Sequence, residues 1–328
     1  MLRYTYMTII FWLIILVASL FGLIKSADYF TAYSEKIGLL LGMSSFIVGA
    51  TIVAIGTSLP ELVSSLFALG AGTTEFVVDN IVGSNIANAM LILGIAAVVA
   101  KKGLKMTTSL IDVDLPFFFM SMAIFGYFAL DGGISSIEGI ALLIFFCIFV
   151  VYNMKSEEEA VDRDEMKDIK DNNPVSNKRK DIGKYSLYIL ASIVVLSISA
   201  KYLIDSILTL SELLAISSST LTITVVAFGT SLPEILTSVA AVRRGNHGMA
   251  VGNVLGSNTF NLLLIAGIPA IITPLAIAPS TFAIGLPFLV IATFIAIFVM
   301  FDNRIRTWEG IAMLFFYLVF IGKITGLM

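Results

Sequence analysis

Residues 56–61 read GTSLPE, and residues 229–234 read GTSLPE again. Each copy lies inside a long apolar run and places a glutamate directly after a proline, at a depth where lipid is expected. The likeness spreads outward. TIVAIGTSLPE (51–61) and TVVAFGTSLPE (224–234) agree at nine of eleven positions, 173 residues apart. NIVGSNIAN (80–88) matches NVLGSNTFN (253–261) at the same offset, as do Ser26-Ala27-x-Tyr29 and Ser199-Ala200-x-Tyr202. Downstream the offset becomes 171: LPF (115–117) pairs with LPF (286–288), and DGGISSIEGIA (131–141) with DNRIRTWEGIA (302–312). The repeat covers nearly the whole chain.

The composition says where these copies reside. Of 328 residues, 58% are hydrophobic and 13% charged, and the mean hydropathy is +0.98. A soluble domain is nearer half apolar and a quarter charged. Bilayer-length apolar runs recur from end to end, which specifies an all-α polytopic membrane protein. Gly, Pro and charge punctuation divides it into ten expected spans, near 7–25, 43–69, 76–99, 110–130, 136–153, 185–204, 218–242, 249–272, 281–300 and 307–326. The first is read as a span and not a cleaved leader, because it has a partner later in the chain. Residues 154–184 mix both signs, hold almost no large apolar residue and read as a solvated linker, with no EF-hand spacing. One cysteine, Cys147, excludes an internal disulfide and is expected to be a small buried hydrophobe. The single histidine, His247, is expected in a loop. Nothing points to an enzyme or to nucleic acid.

Seventeen of the 20 Lys and Arg fall in alternate loops: Lys25 and Lys36, Lys101 to Lys105, the linker, Arg243 and Arg244, and Arg304 and Arg306. The positive-inside rule puts these in the cytoplasm and both termini outside. Five spans per half is odd, so the second copy enters the membrane the other way up. The basic residues agree: GAGTTE carries none and its counterpart RRGNH two, whereas AKKGLK carries three and ITPLAI none. The expected domains are a first five-helix repeat (1–153), a cytoplasmic linker (154–184) and a second, inverted five-helix repeat (185–328). Such inverted repeats are common in secondary transporters.

In a bilayer each freed backbone group needs a partner. Pro60 and Pro233 cannot donate to the preceding turn, which is expected to free carbonyls near Ala54, Gly56 and Thr57. Gly56 lets a ligand or a neighbouring helix come close. Thr57, Ser58 and Glu61 are expected on one helical face, as are Thr230, Ser231 and Glu234. An acidic residue at mid-membrane costs about 2.5–3.5 kcal/mol on insertion scales, and no Lys or Arg lies mid-span to pair with it. A metal ion or a proton remains. Carboxylate, amide, hydroxyl and carbonyl oxygens suit calcium or sodium and not zinc or copper. Ser84 and Asn88 share a face, as do Ser257 and Asn261, and each Asn follows its half's glutamate by 27 residues. Asn85 and Asn258 either join helices or add to the cage. Gly83 and Gly256 are expected at tight helix crossings.

At these residues the sequence resembles the calcium/cation antiporter superfamily, in particular its sodium/calcium exchanger branch of prokaryotic type, across essentially the whole chain. The resemblance implies ten helices, with the second, third, seventh and eighth around the ions, and the first and sixth as sliding gates. It implies calcium ligation by Glu61 and Glu234 with Thr57 and Thr230. It implies sodium sites using Ala54, Ser58, Glu61, Ser84, Ala227, Ser231, Glu234 and Ser257, with Asn88 and Asn261 lining the middle and Pro60 and Pro233 breaking helices. Potassium-dependent members carry aspartate at the position of Asn261, so potassium independence is expected. Some prokaryotic relatives also carry aspartate there. Proton-coupled members have a different acidic motif, which favours sodium as counter-ion. The expected activity is electrogenic Na+/Ca2+ antiport by a monomer in the plasma membrane, with Ca2+ and Na+ as transported ions and no cofactor. A proton-coupled calcium antiporter and a calcium channel are the alternatives.

Overall fold

The computed structural model describes residues 2–40, 56, 58–100, 103–105, 114–160, 178–243, 245 and 247–328. They form helices α1 (Leu2–Leu40), α2 (Leu59–Gly70), α3 (Glu75–Val99), α4 (Leu115–Phe128), α5 (Ser136–Ala160) and α6 (Lys178–Leu214). α7 (Ser218–Arg243), α8 (His247–Ile272), α9 (Thr281–Met300) and α10 (Thr307–Ile324) follow. Among the described residues, α1, α3 and α6 to α10 contain stretches long and apolar enough to cross a membrane, while α2, α4 and α5 contain shorter apolar ones. The protein is thus a predominantly helical, multi-pass membrane protein.

Burial sorts the helices. The apolar windows of α3 and α8 are 83% and 72% buried, that of α1 only 17%. Small and polar residues let α3 and α8 be enclosed on every side; Leu, Ile and Phe cover the outer helices and face outward. α1 and α6 lie along one another. Tyr33 stacks on Tyr188 with ring centroids 4.5 Å apart, and the Lys36 ammonium sits 5.0 Å over Tyr33 and 5.5 Å over Tyr185.

The repeat seen in the sequence organises the contacts. Four two-residue strands, β1 (Leu104–Lys105), β2 (Gly133–Ile134), β3 (Leu275–Ala276) and β4 (Arg304–Ile305), make two antiparallel ribbons. Leu104 pairs with Ile305, and its repeat counterpart Leu275 pairs with Ile134, the counterpart of Ile305. One ribbon follows the C-terminus of α3; the other lies by its N-terminus, where the Ala276 amide donates to Thr74 Oγ1 at 3.4 Å. With 25 residues in α3, the ribbons stand about 37 Å apart along the helix axis. The glycine crossings exchange in the same way. A Cβ on Gly94 of α3 would meet the Gly310 carbonyl of α10 at 2.9 Å, and one on Gly267 of α8 would meet the Gly139 carbonyl of α5 at 3.1 Å. Glu138 and Glu309 answer one another too, accepting from the Ser135 and Arg306 amides at the starts of α5 and α10.

Four expectations change. Cys147 is exposed on the outer face of α5 and not buried, because that helix turns Ile140, Ile144, Cys147 and Ile148 outward, where an apolar surface has no need of water. His247 opens α8 instead of standing in a loop, and its Nδ1 accepts from the Lys105 amide at 3.2 Å. α5 runs on to Ala160 and α6 begins at Lys178, so helix reaches into both ends of the expected linker; 161–177 lie outside the described residues. A Cβ on Gly83 would collide with the Ile223 carbonyl of α7, but one on Gly256 meets nothing within 4 Å, so only the first of this pair is a tight crossing.

Candidate cation site

Each GTSLPE copy has a turn at its serine. In the second copy, α7 runs helically to Thr230, turns at Ser231 and restarts at Leu232. In the first, Ser58 stands at the turn and α2 starts at Leu59. Ser58 (φ −94°, ψ 9°) and Ser231 (φ −79°, ψ 2°) share one conformation. The prolines fall in the first turn of the new segment, where a missing N–H costs little. Glu61 and Glu234 therefore also sit in a first turn, where the positive end of the helix favours a carboxylate. Thr, Ser and Glu were expected on one helical face beside a helix-breaking proline; the turn falls at Ser231 and stands between Thr230 and Glu234. Thr57 and Ala54 lie outside the described residues. The glycine before the break admits a neighbouring helix: a Cβ on Gly56 would collide with Thr31, and one on Gly229 would meet Leu20 at 2.7 Å, both on α1.

α3 and α8 face these junctions and are themselves altered. Each widens to a π-helical turn, at Ala87–Ile92 and at Asn261–Ile265. Such turns inside α-helices are rare and frequent at functional sites. They fall on Asn88 and Asn261, which sequence periodicity alone could not reveal.

Several of the expected residues meet across the two halves. Glu61 and Glu234 are both buried, at 2% and 1% exposure, and close enough for their charges to act on each other. The Thr230 hydroxyl reaches Glu61 across the repeat, while Ser257 reaches Glu234 within its own half. The Ala227 carbonyl accepts the Ser231 amide at 3.2 Å, with the Thr230 hydroxyl 3.4 Å and the Ser84 hydroxyl 3.5 Å away. Its expected freedom is thus only partial. Asn258 Nδ2 donates to the Asn85 carbonyl at 3.3 Å and so joins α8 to α3, whereas Asn85 Nδ2 donates back to the Ile81 carbonyl of its own helix at 2.7 Å.

Besides Ser65 Oγ, Asn80 Oδ1 and Thr293 Oγ1, the buried oxygens with no hydrogen-bond partner among the described residues are Oγ of Ser58 and Ser231, Oε2 of Glu61 and Glu234, Oδ1 of Asn85 and Asn258, and Oδ1 of Asn88 and Asn261; these eight fall in pairs. They are four positions and their four repeat counterparts. Buried polar groups are ordinarily paired, and a carboxylate buried without a partner costs far more than a hydroxyl. Among the described residues no salt bridge involves Glu61 or Glu234. An oxygen-only, net-negative cluster of this kind suits a hard cation. Groups of three or more His, Cys, Asp or Glu are absent among the described residues; amides and hydroxyls supply most of the oxygens.

Two supporting residues escaped the sequence reading, although both lie in or beside the repeated motifs. Asn253 donates to Ser238 Oγ at 3.0 Å and to the Glu234 carbonyl at 3.4 Å, fastening α8 to α7 behind the glutamate. Its counterpart Asn80 makes neither bond and is buried unpaired. Asn253→Ala is therefore expected to cost about 1–3 kcal/mol and Asn80→Ala less. Thermal unfolding in detergent checks the order, and equal losses would contradict it.

Comparison with known proteins places this constellation. Paired, buried and unpartnered oxygens in the two repeats of a multi-pass membrane protein suit a cation transporter. The sodium/calcium exchanger protein family model matches residues 11–155 and 184–325, and the chain belongs to that family. It is 31% identical to the sodium/calcium exchanger MaX1 of Methanosarcina acetivorans, over 94% of this chain and 97% of that one. It is also 31% identical to the inner membrane protein YrbG of Escherichia coli, over 82% of each. Among solved structures, the sodium-calcium exchanger NCX_Mj soaked with 2.5 mM Na+ and 10 mM Sr2+ is similar at a TM-score of 0.66 and 27% identity, covering 96% of this chain and 99% of that one.

Proposed function

We propose that the protein exchanges Na+ for Ca2+ across a cell membrane by alternating access, with Glu61 and Glu234 at the centre of the ion cage. The observation that carries this is the fourfold pairing of unpartnered buried oxygens around two acids. In this reading Ca2+ is held by Glu61, Glu234, Thr57 and Thr230. Na+ is held at sites built from the same acids with Ala54, Ser58, Ser84, Ala227, Ser231 and Ser257, and Asn88 and Asn261 line the middle. The chain crosses the membrane ten times, as halves 1–153 and 185–328 of opposite orientation. The exchanged partners of the two ribbons and of the two glycine crossings support that arrangement. Lysines and arginines put the ribbon of Lys105 and Arg304 in the cytoplasm, with the 154–184 linker, and both termini outside. A single chain suffices, since both halves of the cage belong to it.

Two carboxylates balance one Ca2+. Occupancy neutralises the cage and lets it reorient; an empty, doubly charged cage does not cross. If three or more Na+ replace one Ca2+, each cycle moves charge, so an imposed membrane potential is expected to change the rate. With Asn261 in the middle, potassium is not required. The test is Ca2+ uptake into proteoliposomes driven by a Na+ gradient, with pH clamped and K+ present or absent. Uptake that follows a proton gradient instead establishes the proton-coupled alternative. Current without a counter-ion establishes a channel.

A further inference from the structure

Asp79 is a buried acid to which the exchange cycle assigns no task. It lies on α3 five residues before Ser84, so about 7.5 Å nearer the helix N-terminus than the cage. The Thr281 hydroxyl donates to its Oδ1, and the Ser219 hydroxyl reaches the same carboxylate. Ser219 Oγ also stands 3.1 Å from Ser280 Oγ and 3.3 Å from Thr281 Oγ1. Residues from α3 and from the starts of α7 and α9 thus converge on one carboxylate, itself 1% exposed. Asp79 and Ser219 also line a cleft of about 300 Å³ whose polar lining includes Thr74, Glu75, Ser218 and Thr222, with Ile204 and Ile207 of α6 along one wall; Thr281 and Ser280 stand behind it. Among the described residues no basic side chain lines the cleft. Glu75 is one turn before Asp79 on the same face, an arrangement that is unfavourable for like charges left alone.

A stapled carboxyl that only joined helices would be expected in both halves. It occurs in one. The counterpart of Asp79 is Gly252 at offset 173, and that of Ser219 is Phe46. Reading back from LPF, Ser280 aligns with Ser109 and Thr281 with Leu110. The acid and both of its hydroxyl partners are replaced together by groups that cannot hold an ion. The cleft opens at the β2–β3 end of the bundle, the end read as outer, between the core and α6.

We propose that this cleft is a second hard-cation site, at one mouth of the transport path and without a counterpart at the other. Oxygens of carboxylate and hydroxyl suit Na+ and Ca2+ alike. Its role at the outer mouth rests on the exchange reading; the binding itself does not. The first measurement is equilibrium binding of radioactive Na+ and Ca2+, in separate arms, to detergent-purified Glu61→Gln/Glu234→Gln protein, in which the cage is disabled. About one ion per chain is expected to remain and to disappear with Asp79→Asn, and the arm that retains it names the ion. No residual binding in either arm, or residual binding indifferent to Asp79→Asn, overturns the site. If the double variant does not fold, the otherwise wild-type chain is used, and Asp79→Asn is expected to bind one ion fewer. The second measurement is exchange in oriented proteoliposomes. Asp79→Asn is expected to raise the half-saturating cation concentration several-fold at the Glu75 end alone. An equal change at both ends, or none, contradicts the proposal. Should the cage variants retain exchange, the exchange reading fails while the binding result stands.

Discussion

Glu234→Gln is expected to cut sodium-driven calcium uptake by roughly a hundredfold or more, and Glu61→Gln to do the same; this is the largest effect expected of any single change. The amide keeps the shape of the side chain and removes one of the two charges that balance a divalent ion. A unit of charge left uncompensated at mid-membrane costs about 2.5–3.5 kcal/mol, which corresponds to a loss of roughly a hundredfold or more. The proteins themselves should remain folded, since each substitution removes a charge from a pair of mutually repelling buried acids. Gel filtration and thermal unfolding in detergent verify this, and flux in proteoliposomes reads the effect. Glu234→Asp keeps the charge and shortens the reach, so a partial loss is expected. Uptake near the wild-type rate in either glutamine variant would falsify the placement of the cation between these acids.

The second large effect separates two glycines that look equivalent in the repeat. Gly83→Ala is expected to lower stability by about 1–3 kcal/mol, as overpacking of a tight core does, and to cut exchange by at least tenfold. Its Cβ would collide with the Ile223 carbonyl and stand 2.6 Å from the Ala227 Cβ. That carbonyl belongs to backbone and cannot rotate away. The shift would fall between Ser84 and the Ala227 carbonyl, which now stand 3.5 Å apart across the repeat. Gly256→Ala meets open space and gains the helix propensity of alanine, about 1 kcal/mol, so its stability should hold or rise. Thermal unfolding of the two variants side by side, with uptake measured on each, tests the contrast. Similar losses would mean that the α3–α7 crossing does not govern the cage.

The contrast shows which statements a sequence can carry. Apolar run length, the charge swap between matched loops and the twice-repeated GTSLPE identified a multi-pass helical protein with paired acids in its interior. These features are written along the chain, because a bilayer penalises each exposed charge wherever it falls. The spacing from Glu61 to Asn88, equal to that from Glu234 to Asn261, pointed to a shared site. The break at Ser58 and Ser231 was only half legible. Proline announced a disturbance, but whether it kinks a helix or opens a new one depends on what packs against the turn before it. The π-helical turns at Asn88 and Asn261 left no periodic trace. Cys147 was read as buried because apolar neighbours surround it in sequence, and an apolar helix face turned outward has the same composition as one turned inward.

Sequence alone determined that this chain lives in a membrane, that it is built twice, and that two glutamates lie where a charge must be compensated. Each follows from local cost, counted residue by residue. Only the tertiary structure decided that the two acids meet, which of Gly83 and Gly256 is crowded, and that Asp79 stands at a hydroxyl-lined cleft. Those are relations between helices remote in sequence, set by how their small residues interlock.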